Sequence, residues 1–550
     1  MSPSRPALDP DARRLRLQAL SAAMRAGRGE EALGLAEAML ADGFAHPAAL
    51  HLAAAARQGA GRFDEAERLF EHRARLTPAE PVGWAALAGC QLAAQRAEAA
   101  LTSYDAALTL APTVPSLLCG KARALQALSR ADEAERLYRR ALALDAASFE
   151  AHFGLAGLAL DAGDLDAAAT HAEALVAAQP AAPDTGWLAA RIALACGQAE
   201  AAHARLAPAL ARADLAADQR AETLLLDGEA LDALGRTAEA FAAALEGKAL
   251  QRALFAERAA GREGEIAKLN RLGAWFAAAD PAPWRTAPQT TTPIAGAALS
   301  HIFLVGFPRS GTTLLEQVLA GHPEIEALEE APTLAAPYAE FLASDEGLAR
   351  LAGLDGKAAA AWRARYWSDV AELGARAEGR VFLDKAPAGT LYLPLIAKLF
   401  PDAKVLFALR DPRDVVLSCL RSSFQLNAMT YAFTSLADTA ACYDACMRMA
   451  EAYRAVLPLD LREVRHEALV EDFDGELAAI CGFLGLATVP AMADVAATAQ
   501  RRLVRTPSAT QVRQGLNRKG VGRWRAYARE LGPVMARLAP WIERWGYPRA

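Results

Sequence analysis

The chain has 550 residues, a net charge of −6 and a hydrophobic fraction of 53 %, much of it alanine. A chain of this length holds about two to four domains, and so mild an acidic balance excludes a general nucleic-acid binder. No uninterrupted apolar run reaches membrane-spanning length, and the opening "MSPSRPALDPDARR" has no apolar signal core, so the expectation is a cytoplasmic protein with no membrane partner. Seven Cys form no C-x-x-C pair and nine His form no H-x-x-x-H, which argues for buried free thiols rather than a zinc site or a disulfide framework.

The N-terminal half repeats itself. "GRFDEAERLFEHRARLTP" from Gly61, "QRAEAALTSYDAALTLAP" from Gln95, "SRADEAERLYRRALALDA" from Ser129 and "GDLDAAATHAEALVAAQP" from Gly163 align at a period of 34. Ala66 returns as Ala100, Ala134, Ala168 and Ala202, with Ala32 one step earlier and Ala240 four residues late. Phe70, Tyr104 and Tyr138 keep the same period, as do Pro78, Pro112 and Pro180, with Ala146 in the remaining slot. This pattern is similar to tetratricopeptide repeats, in which a helical hairpin that cannot bury its apolar face alone stacks on its neighbours. It predicts about six or seven repeats over residues 13–260, a scaffold whose concave face offers room for a protein partner. Residues 261–298 are expected to form a helix and a linker, because "DPAPWRTAPQTTTPIAGAAL" is rich in Pro, Thr and Ala.

From residue 299 the pattern changes to strand–helix alternation. "HIFLVGF", "VFLDKAP" and "KVLFALRDP" read as buried strands, and "TTLLEQVLAGHP" reads as a helix ended by Gly321 and Pro323. Such alternation implies a parallel sheet covered on both faces, with ligands at the C-terminal strand ends. Three polar ends fall there: Arg309-Ser310-Gly311-Thr312-Thr313, Asp384-Lys385 and Arg410-Asp411. A turn feeding a helix N-terminus suits an anion, with hydroxyl donors at Ser310, Thr312 and Thr313 and the planar guanidinium of Arg309 beside them. Arg410, with Ser418 eight residues on, could hold a second phosphate, so the pair of sites suggests a bisphosphorylated nucleotide.

"GFPRSGTTLLEQVLAGHPEI" resembles the 5′-phosphosulfate loop of sulfotransferases, and "LFALRDPRDVVLSCL" resembles their 3′-phosphate motif. The chain resembles tetratricopeptide-repeat sulfotransferases of bacteria and the tyrosylprotein sulfotransferases. The fold implied is an all-α tetratricopeptide-repeat solenoid followed, over 299–550, by an α/β P-loop-like sulfotransferase domain with a central parallel sheet. The resemblance implies 3′-phosphoadenosine 5′-phosphosulfate (PAPS) as co-substrate and no metal. Since His322-Pro323-Glu324 is followed by Glu329-Glu330, it makes Glu330 the catalytic base. It assigns Arg309 and Lys385 to the transferring sulfuryl group. The segment "SATQVRQGLNRKGVGRWRAY" would place Ser508 near the reacting group and Arg523 on the 3′-phosphate side.

Three positions depart from the tyrosylprotein pattern: Ala331-Pro332 where an Arg soon follows the Glu, His466 for a Tyr, and Asp384 for an Asn. The acceptor hydroxyl therefore stays open between protein tyrosine, glycan and small phenol. Other readings of the same residues are a small-molecule kinase of P-loop type, opposed by the missing Gly-Lys-Ser/Thr, and a repeat scaffold with a non-catalytic nucleotide-binding domain.

Overall fold

The computed structural model describes residues 9–180, 182–285, 294–502, 512–513 and 515–549. Two compact units divide the chain, Met1–Ile192 and Ala193–Ala550.

The first unit is built from helices that obey the sequence period. Pro47–Gly59, Pro81–Ala93, Pro115–Ala127 and Phe149–Ala162 begin 34 residues apart, and so do Phe63–Leu76, Ala97–Leu110, Ala131–Leu144 and Leu165–Ala178. Three helices of the first set open on Pro, which has no N–H to leave unbonded in the first turn. Ala66, Ala100, Ala134 and Ala168 are wholly buried, the small contacts that let helices approach. Tyr104 and Tyr138 lay their rings where a side chain on Gly120 or Gly154 would stand, so aromatic and glycine repeat as complementary partners.

In the second unit a helical region precedes a sheet. Ala199–Leu210, Ala217–Ala233 and Thr237–Ala259 carry the last repeat helices. By sequence period these helices belong with 13–260; by compactness they belong with the C-terminal residues. The stretch expected as helix and linker contains Glu265–Ala277, whose Leu269, Leu272 and Phe276 are buried in the main core together with Phe303 and Tyr453. Their i, i+3, i+7 spacing gives this helix one apolar face, which closes against that core.

Five parallel strands form the sheet: β1 (Ser300–Gly306), β2 (Ile325–Glu329), β3 (Val381–Lys385), β4 (Lys404–Leu409) and β5 (Asp460–Arg465), in the order β2-β3-β1-β4-β5. The residues of β1 divide between two cores, Ile302 and Leu304 in one and Phe303 and Val305 in the other. A strand buried on both faces needs such an unbroken apolar run. β1 lies between β3 and β4, so the chain leaves it at the point where the strand order reverses, where α/β sheets open a crevice. The edge strand β5, "DLREVR", is polar and mostly half-exposed, which hides it from an apolar-run reading. Among the described residues no helix is long and apolar enough to cross a membrane. All seven Cys are free thiols, and six are buried.

Candidate active site

At the end of β1 the chain turns sharply. Phe307 anchors the turn in the core, Ser310 N–H donates to the Phe307 carbonyl at 3.1 Å, and Gly311 at φ +93° starts the helix Thr312–Ala320, the loop helix. Gly311 is required twice over: a side chain there would need left-handed backbone and would strike His466 Nδ1 at 2.7 Å. Arg309 itself stands at φ +70°, a conformation costly to a residue with a Cβ. The first N–H groups of the loop helix therefore border the mouth of the turn.

Arg309, expected at the phosphosulfate loop, comes together with Arg410 and Ser418, expected at a second, separate phosphate. Arg309 Nε donates to Ser418 Oγ at 2.9 Å, and Arg410 Nη1 donates to the Arg309 carbonyl at 3.0 Å. Ser418 lies on the helix Pro412–Arg421, which begins where β4 ends. Burial, with Arg410 beside it, draws the Arg309 guanidinium down to about 10, still a cation at neutral pH. Arg410 Nε and His466 Nδ1 are buried with no hydrogen-bond partner among the described residues. Burial and then Arg410 push the His466 imidazole down to about 3, so it stays neutral. Unsatisfied polar atoms around a cationic turn fit an anionic ligand, since leaving them bare costs free energy.

A second cluster forms where β2 and β3 end. The register sets Glu329 opposite Lys385, and Glu330 N–H donates to the Lys385 carbonyl at 2.8 Å. Lys385 is wholly buried; its Nζ lies 2.8 Å from Glu330, 3.2 Å from Glu329 and 3.3 Å from Glu316 of the loop helix. Burial works against the ammonium, but Glu316, Glu330 and Glu329 together outweigh it and hold its pKa above the usual lysine value. Glu330 stands at φ +48° with its side chain 43 % exposed, so it is strained and reachable from solvent.

Beneath Glu330, Thr333 Oγ1 and the Tyr366 hydroxyl donate to Asp384 Oδ2 at 2.8 and 2.7 Å, and the Tyr366 hydroxyl lies 2.9 Å from His301 Nε2. These bonds tie the segment after Glu330 to β3. Burial raises the Asp384 carboxyl to about 6, against which both hydroxyl bonds act.

Two expected residues stand apart from these clusters. Ser508 lies outside the described residues. Arg523 pairs its guanidinium with Asp232 of the helix Ala217–Ala233, a carboxylate that also takes Arg421 at 2.8 Å and the Tyr527 hydroxyl. The backbone around Arg523 nonetheless meets the Ser418 helix: Gly522 and Trp524 donate their N–H groups to Asp414 at 2.7 and 2.8 Å, and Arg410 reaches the Gly520 carbonyl.

Sequence reasoning did not single out Glu316 or Asp232. For Glu316 a signal existed, the single charged residue of a helix whose Leu314, Leu315, Val318 and Leu319 are apolar. For Asp232 there was none, because its partners lie about 190 and 290 residues away. Among the described residues no group of three His, Cys, Asp or Glu is arranged to hold a metal ion.

Residues 301–490 match the model of the sulfotransferase family. An uncharacterized protein of Aquifex aeolicus is 29 % identical over 254 residues, 42 % of this chain and 31 % of its own length. Protein-tyrosine sulfotransferase 2 of Gallus gallus is 28 % identical over 269 residues, 45 % of this chain and 69 % of its own. The chain thus spans less than a third of the first relative and about two thirds of the second. Among solved structures, a tetratricopeptide repeat protein of Parabacteroides merdae aligns with 43 % of this chain and 93 % of its own, at 16 % identity and a TM-score of 0.37.

Proposed function

We propose that the sulfotransferase-family domain of this chain, spanning 299–550, moves a sulfuryl group from PAPS to an acceptor hydroxyl, and that the repeats over 13–260 recruit the acceptor or a protein partner. The observation that carries this reading is the meeting of Arg309, Arg410 and Ser418 at the ends of β1 and β4, with Lys385 at the end of the neighbouring strand β3 and Glu330 at the end of β2 beyond it.

In this reading the turn at Ser310, Gly311, Thr312 and Thr313 holds the 5′-phosphosulfate, while Ser418 and Arg410 serve the 3′-phosphate. Glu330 accepts the proton of the acceptor hydroxyl. The acceptor oxygen bonds to sulfur as the bond from sulfur to the 5′-phosphate oxygen breaks, and the electron pair leaves with that phosphate. Lys385 and Arg309 offset the charge gathering there, so the catalytic contribution is positioning and electrostatics. A fixed cation at the leaving oxygen does here what the loop lysine of nucleotide triphosphatases does at β- and γ-phosphates, which explains a turn that carries Arg309 instead. The similarity to a protein-tyrosine sulfotransferase makes tyrosine hydroxyls the first acceptors to try.

Calorimetry of the full chain against adenosine 3′,5′-bisphosphate (PAP) and against Mg·ATP tests the reading. One PAP site, with no comparable Mg·ATP site, is expected. Binding of Mg·ATP alone would instead favour a kinase.

A further inference from the structure

Lys385 sits among three carboxylates, more than one buried ammonium needs. Glu316 and Lys385 are both wholly buried, and Arg502 approaches Glu316 from the other side at 3.3 Å while donating to the Ala327 carbonyl of β2 at 2.8 Å. The groups facing Lys385 are Glu316 from the loop helix and Glu329 and Glu330 from the end of β2; those facing Glu316 are Lys385, Glu329 and Arg502. At rest the cluster holds two cations and three carboxylates. Once Glu330 has taken a proton, two cations face two carboxylates.

We infer that Glu316, a residue that touches neither donor nor acceptor, is a positioning residue that keeps Lys385 charged and aimed at the leaving phosphate when Glu330 turns to the acceptor. The inference rests on the sulfuryl-transfer reading above. A buried lysine without a partner loses its proton readily, because desolvation disfavours the ammonium. Glu330 cannot be that partner throughout, since it becomes neutral during the reaction. Glu329, 3.2 Å from the ammonium, and Glu316 both remain, but Glu329 is partly open to solvent, whereas Glu316 Oε2 faces Lys385 wholly buried and with no hydrogen-bond partner of its own among the described residues. The loop helix thereby serves both ends of the site, its N-terminus toward the 5′ group and Glu316, one turn in, toward Lys385. Burial raises the Glu316 pKa, and the Lys385 ammonium beside it acts against that rise.

The test is PAP binding by calorimetry between pH 7 and 10, with full-length wild-type, Glu316→Gln and Arg502→Met proteins. PAP presents the 5′-phosphate that Lys385 would contact after transfer, so no acceptor is needed. Wild type is expected to keep its affinity across the range. Glu316→Gln is expected to match it near pH 7 and to weaken by about tenfold for each unit by which the Lys385 pKa has fallen below the working pH. Arg502→Met leaves the Glu316 charge to Lys385 alone, so its alkaline affinity should equal or exceed wild type. A purely structural role would weaken both variants equally at all pH values. If wild type binds no PAP, the sulfuryl-transfer reading itself fails. If wild type binds and Glu316→Gln follows the same pH profile, this inference is overturned. Should Glu316→Gln not fold, alkaline weakening in Arg502→Met overturns it just as well.

Discussion

Among the described residues, four other than glycine hold left-handed backbone, two in each unit, and they do so for opposite reasons. Gln95 and Ser129, both at φ +63°, occupy the repeat turn that Gly27, Gly61, Gly163 and Gly197 fill at the same period. There the strain is incidental. Each closes a helix in the usual way, with the next residue's N–H bonded back to the Gln91 or Leu125 carbonyl, and a glycine would do the same. Arg309 and Glu330 are strained where the proposed chemistry lies, and each is fixed by long-range bonds: Arg309 by Ser418 and Arg410, Glu330 by Lys385. The repeat unit tolerates a poor choice in a turn, whereas the sheet unit maintains one through its packing.

Buried charge divides the units in the same way. The buried polar residues of the first unit are Arg73, Gln91, Ser103, Ser148 and Thr185, while the second buries Glu316, Asp384, Lys385, Arg413, Asp414 and Lys248. Ionic groups are costly to desolvate unless paired. Arg413 shows the arrangement, with two bonds to Asp411 and the Trp524 ring 3.6 Å from its guanidinium carbon. The second unit keeps such pairs around the ends of its strands, where a charged ligand would need them.

The contrast can be broken at its strongest point by Arg309→Gly. That change relieves the left-handed backbone but removes the guanidinium, and turnover with PAPS should fall by about 10²- to 10³-fold, as for loss of one charge-stabilising donor. Steady-state kinetics that match wild type would show the strain to be as incidental there as in the repeats.

A smaller effect is expected in the buried network under Glu330. The Asp384 carboxyl is raised to about 6 from the usual 3.8, so the fold binds more protons than the unfolded chain between those values. Stability is then greatest below about pH 4 and declines as pH rises through about 6, by about 3 kcal/mol at most. Asp384→Asn removes this decline while its amide oxygen still accepts from Thr333 and Tyr366. Urea denaturation from pH 4 to 7 should show a flatter profile for the variant; parallel profiles would place the ionisation elsewhere.

The smallest effect lies in the repeats. Gln95→Gly and Ser129→Gly exchange strain of about 1–2 kcal/mol for a glycine entropy cost of about 0.5–1 kcal/mol, a net gain between about 0 and 1.5 kcal/mol each. Melting should rise slightly and PAP affinity should not change. A fall in melting temperature would mean that these side chains stabilise the turn in some other way.

Much of this was legible because it is periodic or local. The repeat turns, the buried alanines and the aromatic ladder follow from a period of 34 that one sequence displays to itself. The turn after β1 and the Arg410–Ser418 pair follow from short motifs, and the structure sets the Arg309 guanidinium 2.9 Å from Ser418 Oγ and the Arg410 guanidinium 3.0 Å from the Arg309 carbonyl. What sequence withheld is pairing across distance. Lys385 was read, with Arg309, as a cation for the sulfuryl group, yet three carboxylates from two elements surround it. Arg523 was read toward a phosphate, yet its partner is Asp232 on a repeat helix. Asp384 was seen only as part of a polar strand end and as a departure from Asn, because the hydroxyls of Thr333 and Tyr366 that meet it are 51 and 18 residues away. β5 escaped because an edge strand that faces solvent need not be apolar.

Sulfuryl transfer through Glu330 is tested most directly by incubating the full chain with radiolabelled PAPS and a set of tyrosine peptides, phenols and sugars, beside Glu330→Gln. Label should pass to one class of hydroxyl with wild type and fall by about 10²- to 10⁴-fold with the variant, the usual contribution of a positioned base, while PAP still binds. Equal transfer by both proteins, or none by wild type despite PAP binding, would contradict it.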